Sequence, residues 1–163
     1  MISFRTAGVD FARLATDLEH EILNDIPITR TMQLRIAQAD GDRIALAAPL
    51  APNVNDKGCA FGGSLASVLT LAGWALLVLR MRAAGQECEV YVQDSHVKYL
   101  APVWGDFFAE AQLADGESWE AFFAALASRG KGRLRVVASV AGSDGAPATT
   151  LEARFVALRA KAA

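Results

Sequence analysis

Two stretches of this chain hold the residue types from which chemistry could be built. The first is Asn53-Val54-Asn55-Asp56-Lys57-Gly58-Cys59-Ala60-Phe61-Gly62-Gly63-Ser64, a glycine-rich loop that runs into the uncharged segment Leu65 to Leu79. Gly62, Gly63 and Ser64 fall in the first turn of the helix this segment predicts, where backbone N–H groups have no partner within the helix and attract negative charge. Glycines there let another molecule come close to those N–H groups, or serve only tight packing of the helix. The second stretch is Gln93-Asp94-Ser95-His96, four polar residues inside a strand that otherwise reads Val90, Tyr91, Val92, Val97, Tyr99, Leu100. A polar run in a sheet has to be satisfied or used. Asp94 and His96 share a face at period two, so one could be the base for a water while the other orients it. The other reading is a hydrogen-bond cluster where this strand meets its own symmetry copy.

Further candidates surround these two. Asp56 is a second carboxylate beside Asn55, or else an exposed loop residue or helix cap. Cys59 precedes a helix N-terminus, which lowers a thiol pKa, but a buried inert thiol fits the same position. Arg129, Lys131, Arg133 and Arg135 form the concentrated basic run, and Arg80 and Arg82 close the long apolar segment. They read either as a solvated face with helix-dipole complementarity, or as cations for phosphates or for an acidic partner surface. Gly63, Ser67 and Thr70 fall on one side of the helix at i, i+4 and i+7, a small polar stripe suited to contact with a ligand or a second chain.

The elements that position these residues follow from periodicity. Phe11, Leu14, Leu18 and Ile22 recur at helical spacing, predicting an amphipathic helix over about 8–25 that Ile26-Pro27 ends. Met32, Leu34 and Ile36 alternate as a strand, Asp40-Gly41 turns the chain, and Arg43 to Ala48 returns. Apolar side chains on every side of the segment ending at Leu79 require a helix that is enclosed rather than laid on a surface. Phe61 to Leu79 is also long enough to span a bilayer, but Gly62, Gly63, Ser64, Ser67, Thr70 and Gly73 dilute it and the flanks alternate as sheets do. Glu89 to Leu100 is a strand long enough to cross a whole sheet, and Phe107 to Leu113 is another. Trp119, Phe122, Phe123 and Leu126 predict a short helix ending near Gly130; strands over Leu134 to Val140 and about 148–158 complete the chain. The expectation is one α+β domain over residues 1–163, with a mainly antiparallel sheet wrapped around a long central helix.

Composition narrows the function classes. With 163 residues, 53% hydrophobic and 21% charged, the chain can bury a full core. A net charge of -2 gives no electrostatic case for nucleic acid, and Met1-Ile2-Ser3-Phe4-Arg5 lacks the character of a signal peptide, so a cytoplasmic protein without membrane association is expected. Cys59, Cys88, His20 and His96 form no zinc spacing, so no metal is expected.

The order of elements, with Asn55-x-x-Gly58-x-x-Phe61-Gly62-Gly63 opening the central helix and Tyr99-Leu100-x-Pro102 ending the next strand, resembles the hotdog-fold acyl-thioesterases. Pro49-Leu50-x-Pro52-Asn53, Asn55-Asp56-Lys57-Gly58, Gln93-Asp94-Ser95-His96 and the insertion around Trp119 resemble more narrowly the thioesterase domain found C-terminal in YiiD-type acetyltransferases. The resemblance implies a six-stranded sheet around the helix and a homodimer, or a higher homo-oligomer, with an acyl-thioester site at the subunit boundary. It makes Gly62 and Gly63 N–H donors to the thioester carbonyl and Asn55 an orienting group, and with Asp94 and His96 these form the expected catalytic set. Gly58, Phe61, Ser67, Thr70, Arg133 and Arg135 are the expected substrate contacts. The substrate would be an acyl-CoA or an acyl carrier protein, the coenzyme A or phosphopantetheine being part of it and no other cofactor being needed. Three positions depart from the common pattern. Phe61 replaces the usual His before the glycines, Thr70 stands where many relatives carry an acid, and Ala101 stands where some carry a hydroxyl. A non-catalytic acyl-carrier binding module and a hotdog dehydratase or hydratase are the alternatives.

Overall fold

The computed structural model describes residues 8–160; the Met1–Arg5 stretch lies outside the described residues. The first helix, α1 (Phe11–Asp25), starts where the Asp10 carboxylate accepts the Arg13 N–H at 3.0 Å and buries Ala15, Leu18 and Ile22. It stops at Ile26, ahead of Pro27, where the Thr29 hydroxyl adds a second donor to the Ile22 and Ile26 carbonyls. The expected strand at Met32 is corrected at this point. A helical turn, α2 (Ile28–Thr31), is capped by Met32, Gln33 takes a left-handed φ of 55°, and the first strand begins only at Arg35. Met32 and Leu34 are both buried, as their spacing suggests, but a turn rather than a pleat delivers them.

Strands β1 (Arg35–Ala39) and β2 (Arg43–Ala48) form the predicted hairpin, with the Asp40 carboxylate accepting the N–H groups of Asp42 and Arg43 at 2.8 Å each. Helix α3 (Gly62–Ala83) follows, then β3 (Cys88–Tyr99), β4 (Phe107–Leu113), α4 (Trp119–Arg129), β5 (Lys131–Ala141) and β6 (Pro147–Arg159). The six strands form one antiparallel sheet in the order β1-β2-β4-β5-β6-β3. It is the expected α+β hotdog arrangement. The sheet closes on α3, which touches β2 to β6 on one side and α1 on another. By length and composition α3 could cross a membrane, yet it lies inside the sheet, with Leu65, Val68, Leu69, Ala72, Leu76 and Leu79 among its buried residues. Gly85, at φ 66°, ends it in a Schellman arrangement: its N–H donates to the Arg82 carbonyl and that of Gln86 to the Met81 carbonyl.

Helix α4 seals one end of the core with a cluster of three rings, Trp119, Phe122 and Phe123, over which the Arg80 guanidinium stacks at 5.3 Å from the Trp119 ring. Midway along α3, Gly73 marks the closest approach of helix and sheet. A Cβ there would lie 2.7 Å from the ring of Phe155, itself 0% exposed and without room to move. Helix propensity favours alanine over glycine by about 1 kcal/mol, whereas overpacking a closed core costs about 1–3 kcal/mol. Gly73→Ala is therefore expected to lower stability, read as a fall in the denaturation midpoint at unchanged m-value; a rise would show that the ring yields.

Candidate active site at the mouth of the central helix

The loop that leads into α3 is fixed by its own polar groups. Asn55 accepts the N–H groups of Lys57 (2.8 Å) and Cys59 (3.2 Å) on its side-chain oxygen and donates from Nδ2 to Cys59 Sγ (3.2 Å), while Gly58 supplies the φ of 85° that the turn requires. Val54 and Ala60 bridge across its base. Asn53, 1% exposed, donates to the Met32 and Pro49 carbonyls, and its own carbonyl accepts the Phe61 N–H at 2.7 Å. The Ala60 N–H reaches the Val103 carbonyl at 2.8 Å. These bonds set the position and direction of the helix start.

The start itself is uncapped. Phe61 holds the cap position with no side-chain bond, the first helical bond runs from Leu65 N–H to the Phe61 carbonyl, and the N–H groups of Gly62, Gly63 and Ser64 find no acceptor among the described residues. Two aromatic rings flank them. The Tyr99 ring lies 3.3 Å from where a Gly62 Cβ would be, and the Phe61 ring occupies the space of a Gly63 side chain. Both glycines thus have a packing reason as well as free donors. A cavity of about 310 Å³ opens here, lined by Ala60, Gly62, Leu65, Tyr99, Leu100 and Val103, and it is apolar apart from backbone and the tyrosine hydroxyl.

The stripe foreseen on α3 lies on its open side, with Gly63 and Ser67 exposed and Thr70 half-buried. Ser67 and Thr70 donate back to the Gly63 and Ala66 carbonyls, each at 2.8 Å. Beside it runs β3, one of the two edge strands, paired with β6 on one side and open on the other. The strand is held to α3 at both ends: Tyr99 Oη donates to the Gly62 carbonyl at 3.1 Å, and Trp74 Nε1 to the Val90 carbonyl at 3.0 Å.

Asp94 and His96 share a face, as expected, but it is the face turned away from α3. A bulge between Val92 and Asp94 shifts the register, so that Val92 stands opposite buried Phe155, Asp94 opposite Arg154, and His96 opposite Glu152. Inward positions are even-numbered before the bulge (Val90, Val92) and odd-numbered after it (Ser95, Val97, Tyr99). The structure therefore does not bring Asp94 and His96 to the helix mouth of their own chain. Asp94 instead faces Arg154 at 3.8 Å, and His96 lines a cavity of about 470 Å³ on the sheet's outer face with Lys98, Glu110 and Glu152. The sequence carried a signal for this, since its apolar residues change parity across Gln93.

The remaining candidates separate likewise. Asp56 is exposed at the loop tip, 3.0 Å from Lys57 Nζ, and Cys59 is buried against Asn55. Arg135 is held between Glu117 (3.0 Å) and Glu152 (3.4 Å), and Arg82 by Glu21. Arg133 bonds the bulged Gln93 at 3.1 Å and, with Arg129 and Lys131, lines a cavity of about 340 Å³ beside α4. Lys131 pairs with Leu158, and Leu158 with Glu89, ten residues from Tyr99. At about 3.3 Å per residue that basic end lies roughly 30 Å from the mouth along the strand. Sequence reasoning did not assign roles to Asn53, Trp74 or the Tyr99 hydroxyl. Asn53, directly after Pro52, was a legible loop anchor, whereas the two aromatic tethers join residues distant in sequence. Among the described residues no group of three or more His, Cys, Asp or Glu could hold a metal ion.

Comparison with known proteins agrees with this fold. Residues 15–159 match the family described as "Putative thioesterase (yiiD_Cterm)". Among solved structures, the chain is similar to a protein of unknown function from Chlorobaculum tepidum (29% identity, TM-score 0.88, covering 94% of this chain and 99% of that one). It is also similar in fold to a putative thioesterase from Shewanella oneidensis (24% identity, TM-score 0.80, 90% and 99% covered).

Asn55 spends its side chain on the loop, so Asn55→Ala is expected to cost about 1 kcal/mol of stability and to speed amide exchange at Lys57 and Cys59. Unchanged exchange at both amides would show that the loop does not depend on it.

Proposed function

The chain belongs to the "Putative thioesterase (yiiD_Cterm)" family, and from that premise we propose that it hydrolyses an acyl thioester of coenzyme A or of an acyl carrier protein, at a site that a second copy of the chain completes. The observation that carries the reading is the uncapped start of α3, whose free Gly62 and Gly63 N–H groups stand beside an apolar cavity. In hydrolysis a water oxygen adds to the thioester carbonyl, negative charge builds on the carbonyl oxygen, and the C–S bond then breaks as the thiolate leaves and takes up a proton. Fixed N–H donors aimed at that oxygen stabilise the charge without rearranging. The apolar cavity takes the acyl group, and the Ser67 and Thr70 hydroxyls line the open side where water and the thioester enter.

The second copy is supported by what the fold leaves uncovered. The edge of β3 is free along its length with Val92 exposed on it, the stripe on α3 is open, and Phe61, Tyr99 and Leu100 are exposed around the mouth, with Val54 and Trp104 exposed on the segments that lead to it. An antiparallel copy along β3 would lay the Cys88 end of one chain beside the Tyr99 end of the other. The basic residues Arg129, Lys131 and Arg133 would then stand outside the pocket, on the outer face between the middle of β3 and the end beside the other's mouth, where a carrier's phosphates would meet them. Asp56 stands on the loop leading into the mouth, which makes it the better placed of the three acid or imidazole candidates for water activation.

Light scattering is expected to give a dimer, and a panel of acyl-CoAs to show turnover. Asp56→Asn should then cost more in kcat than Asp94→Asn or His96→Ala, which are expected to stay within about threefold because they face outward; a hundredfold loss in either would return the base to that face. A parent that binds acyl-CoA without turning it over would make the protein a binding module. Salt and Arg133→Ala are expected to raise KM for an acyl-CoA, and Arg135→Ala much less, because Glu117 and Glu152 already neutralise it. Equal effects from the two arginines would remove the basic end from the site.

A further inference from the structure

We propose that Tyr99 is the positioning residue that fixes the direction of the Gly63 N–H, through its bond to the Gly62 carbonyl. This rests on the thioester reading above. Oxygen of residue 62 and N–H of residue 63 belong to one peptide unit, which is planar and trans, so holding the oxygen holds the N–H on its opposite edge. Tyr99 Oη donates to that oxygen at 3.1 Å, and its ring closes on Gly62 at 3.3 Å from the Cβ position.

The need for such a hold follows from the sequence of the first turn. Two adjacent glycines have more backbone freedom than any other pair, and no side chain caps the helix to restrain them. A donor that swings cannot be preorganised for a developing charge. Tyr99 is well placed to restrain it, because its own backbone is fixed: it pairs with Thr149, and the next two N–H groups, of Leu100 and Ala101, both donate to the Ala148 carbonyl, at 2.8 and 3.1 Å. The tyrosine bond also polarises the peptide it holds, which strengthens the N–H at the other edge.

Trp74 provides the comparison. It ties β3 to the same helix at the other end of the strand, through Val90, twelve residues and about 18 Å along the helix from Gly62. If the tethers only stiffen the fold, losing either has the same consequence. If Tyr99 positions the donor, only its loss reaches the chemistry.

Tyr99→Phe keeps the ring over Gly62 and removes the hydroxyl. On the dimeric parent's best acyl-CoA it is expected to lower kcat about tenfold at nearly constant KM, less than the 10²–10³-fold typical of losing an oxyanion donor outright. Trp74→Phe is expected to lower Tm at least as much and to leave kcat within about twofold. The amide resonance of Gly63, read by NMR in the unliganded protein, should shift in Tyr99→Phe and stay in place in Trp74→Phe. An unmoved Gly63 resonance, an unchanged kcat in Tyr99→Phe, or an equal kcat loss in both variants overturns the proposal. A parent without turnover on any acyl-CoA overturns the thioester reading instead, and the resonance still decides whether Tyr99 holds the peptide.

Discussion

A 22-residue helix that carries no charge before Arg80 and is apolar on nearly every side has to be enclosed, and the rest of this protein is arranged by that requirement. Five strands and α1 pack against α3, and at Gly73 the approach is so close that a methyl group would meet the Phe155 ring. Enclosure is nevertheless incomplete. One antiparallel sheet of six strands runs out at β3, and along that line the helix presents Gly63, Ser67 and Thr70 instead of large apolar side chains. The gap in the wrapping and the small polar stripe coincide, so the surface that the fold cannot cover is also the surface able to receive another molecule.

The helix mouth shows how a weak point in a fold becomes a place for chemistry. A helix start normally satisfies its first N–H groups with a capping side chain. Here Asp10 does so for α1 and Ser118 for α4, whereas α3 has Phe61 in the cap position and leaves its donors open. Keeping such an end in place without a cap requires support from elsewhere. Asn53, the Ala60–Val103 bond and the Tyr99 hydroxyl provide it, each from a different part of the chain.

The edge strand illustrates a different kind of decision. One extra residue at Gln93 reverses which side chains of β3 face the helix, moving Asp94 and His96 to the outer face and Ser95 to the inner one. Charges on that outer face find partners there, Asp94 with Arg154 and Arg135 with Glu117 and Glu152. The pleat divides this run of polar residues between two surfaces, and a single bulge decides that Asp94 and His96 are the ones turned outward.

Taken alone, the sequence determined the wrapped helix, the hairpin at Asp40, α4 and the succession of strands along the chain. Each of these rests on hydrophobic period or turn chemistry, which act over a few residues and are written locally. It also located the helix mouth, because Gly62 and Gly63 ahead of an uncharged segment define an open N-terminus wherever the chain folds. The turn at Ile28–Thr31 was less legible, since Met32 and Leu34 are spaced alike for a strand or for a turn followed by a left-handed residue. Tertiary structure alone decided what surrounds the mouth. The bond from Tyr99 to Gly62, the capture of Arg135 by Glu117 and Glu152, and the side of the sheet on which His96 stands all depend on pairing between distant segments, and no local pattern encodes which partner a strand edge or a long side chain will meet.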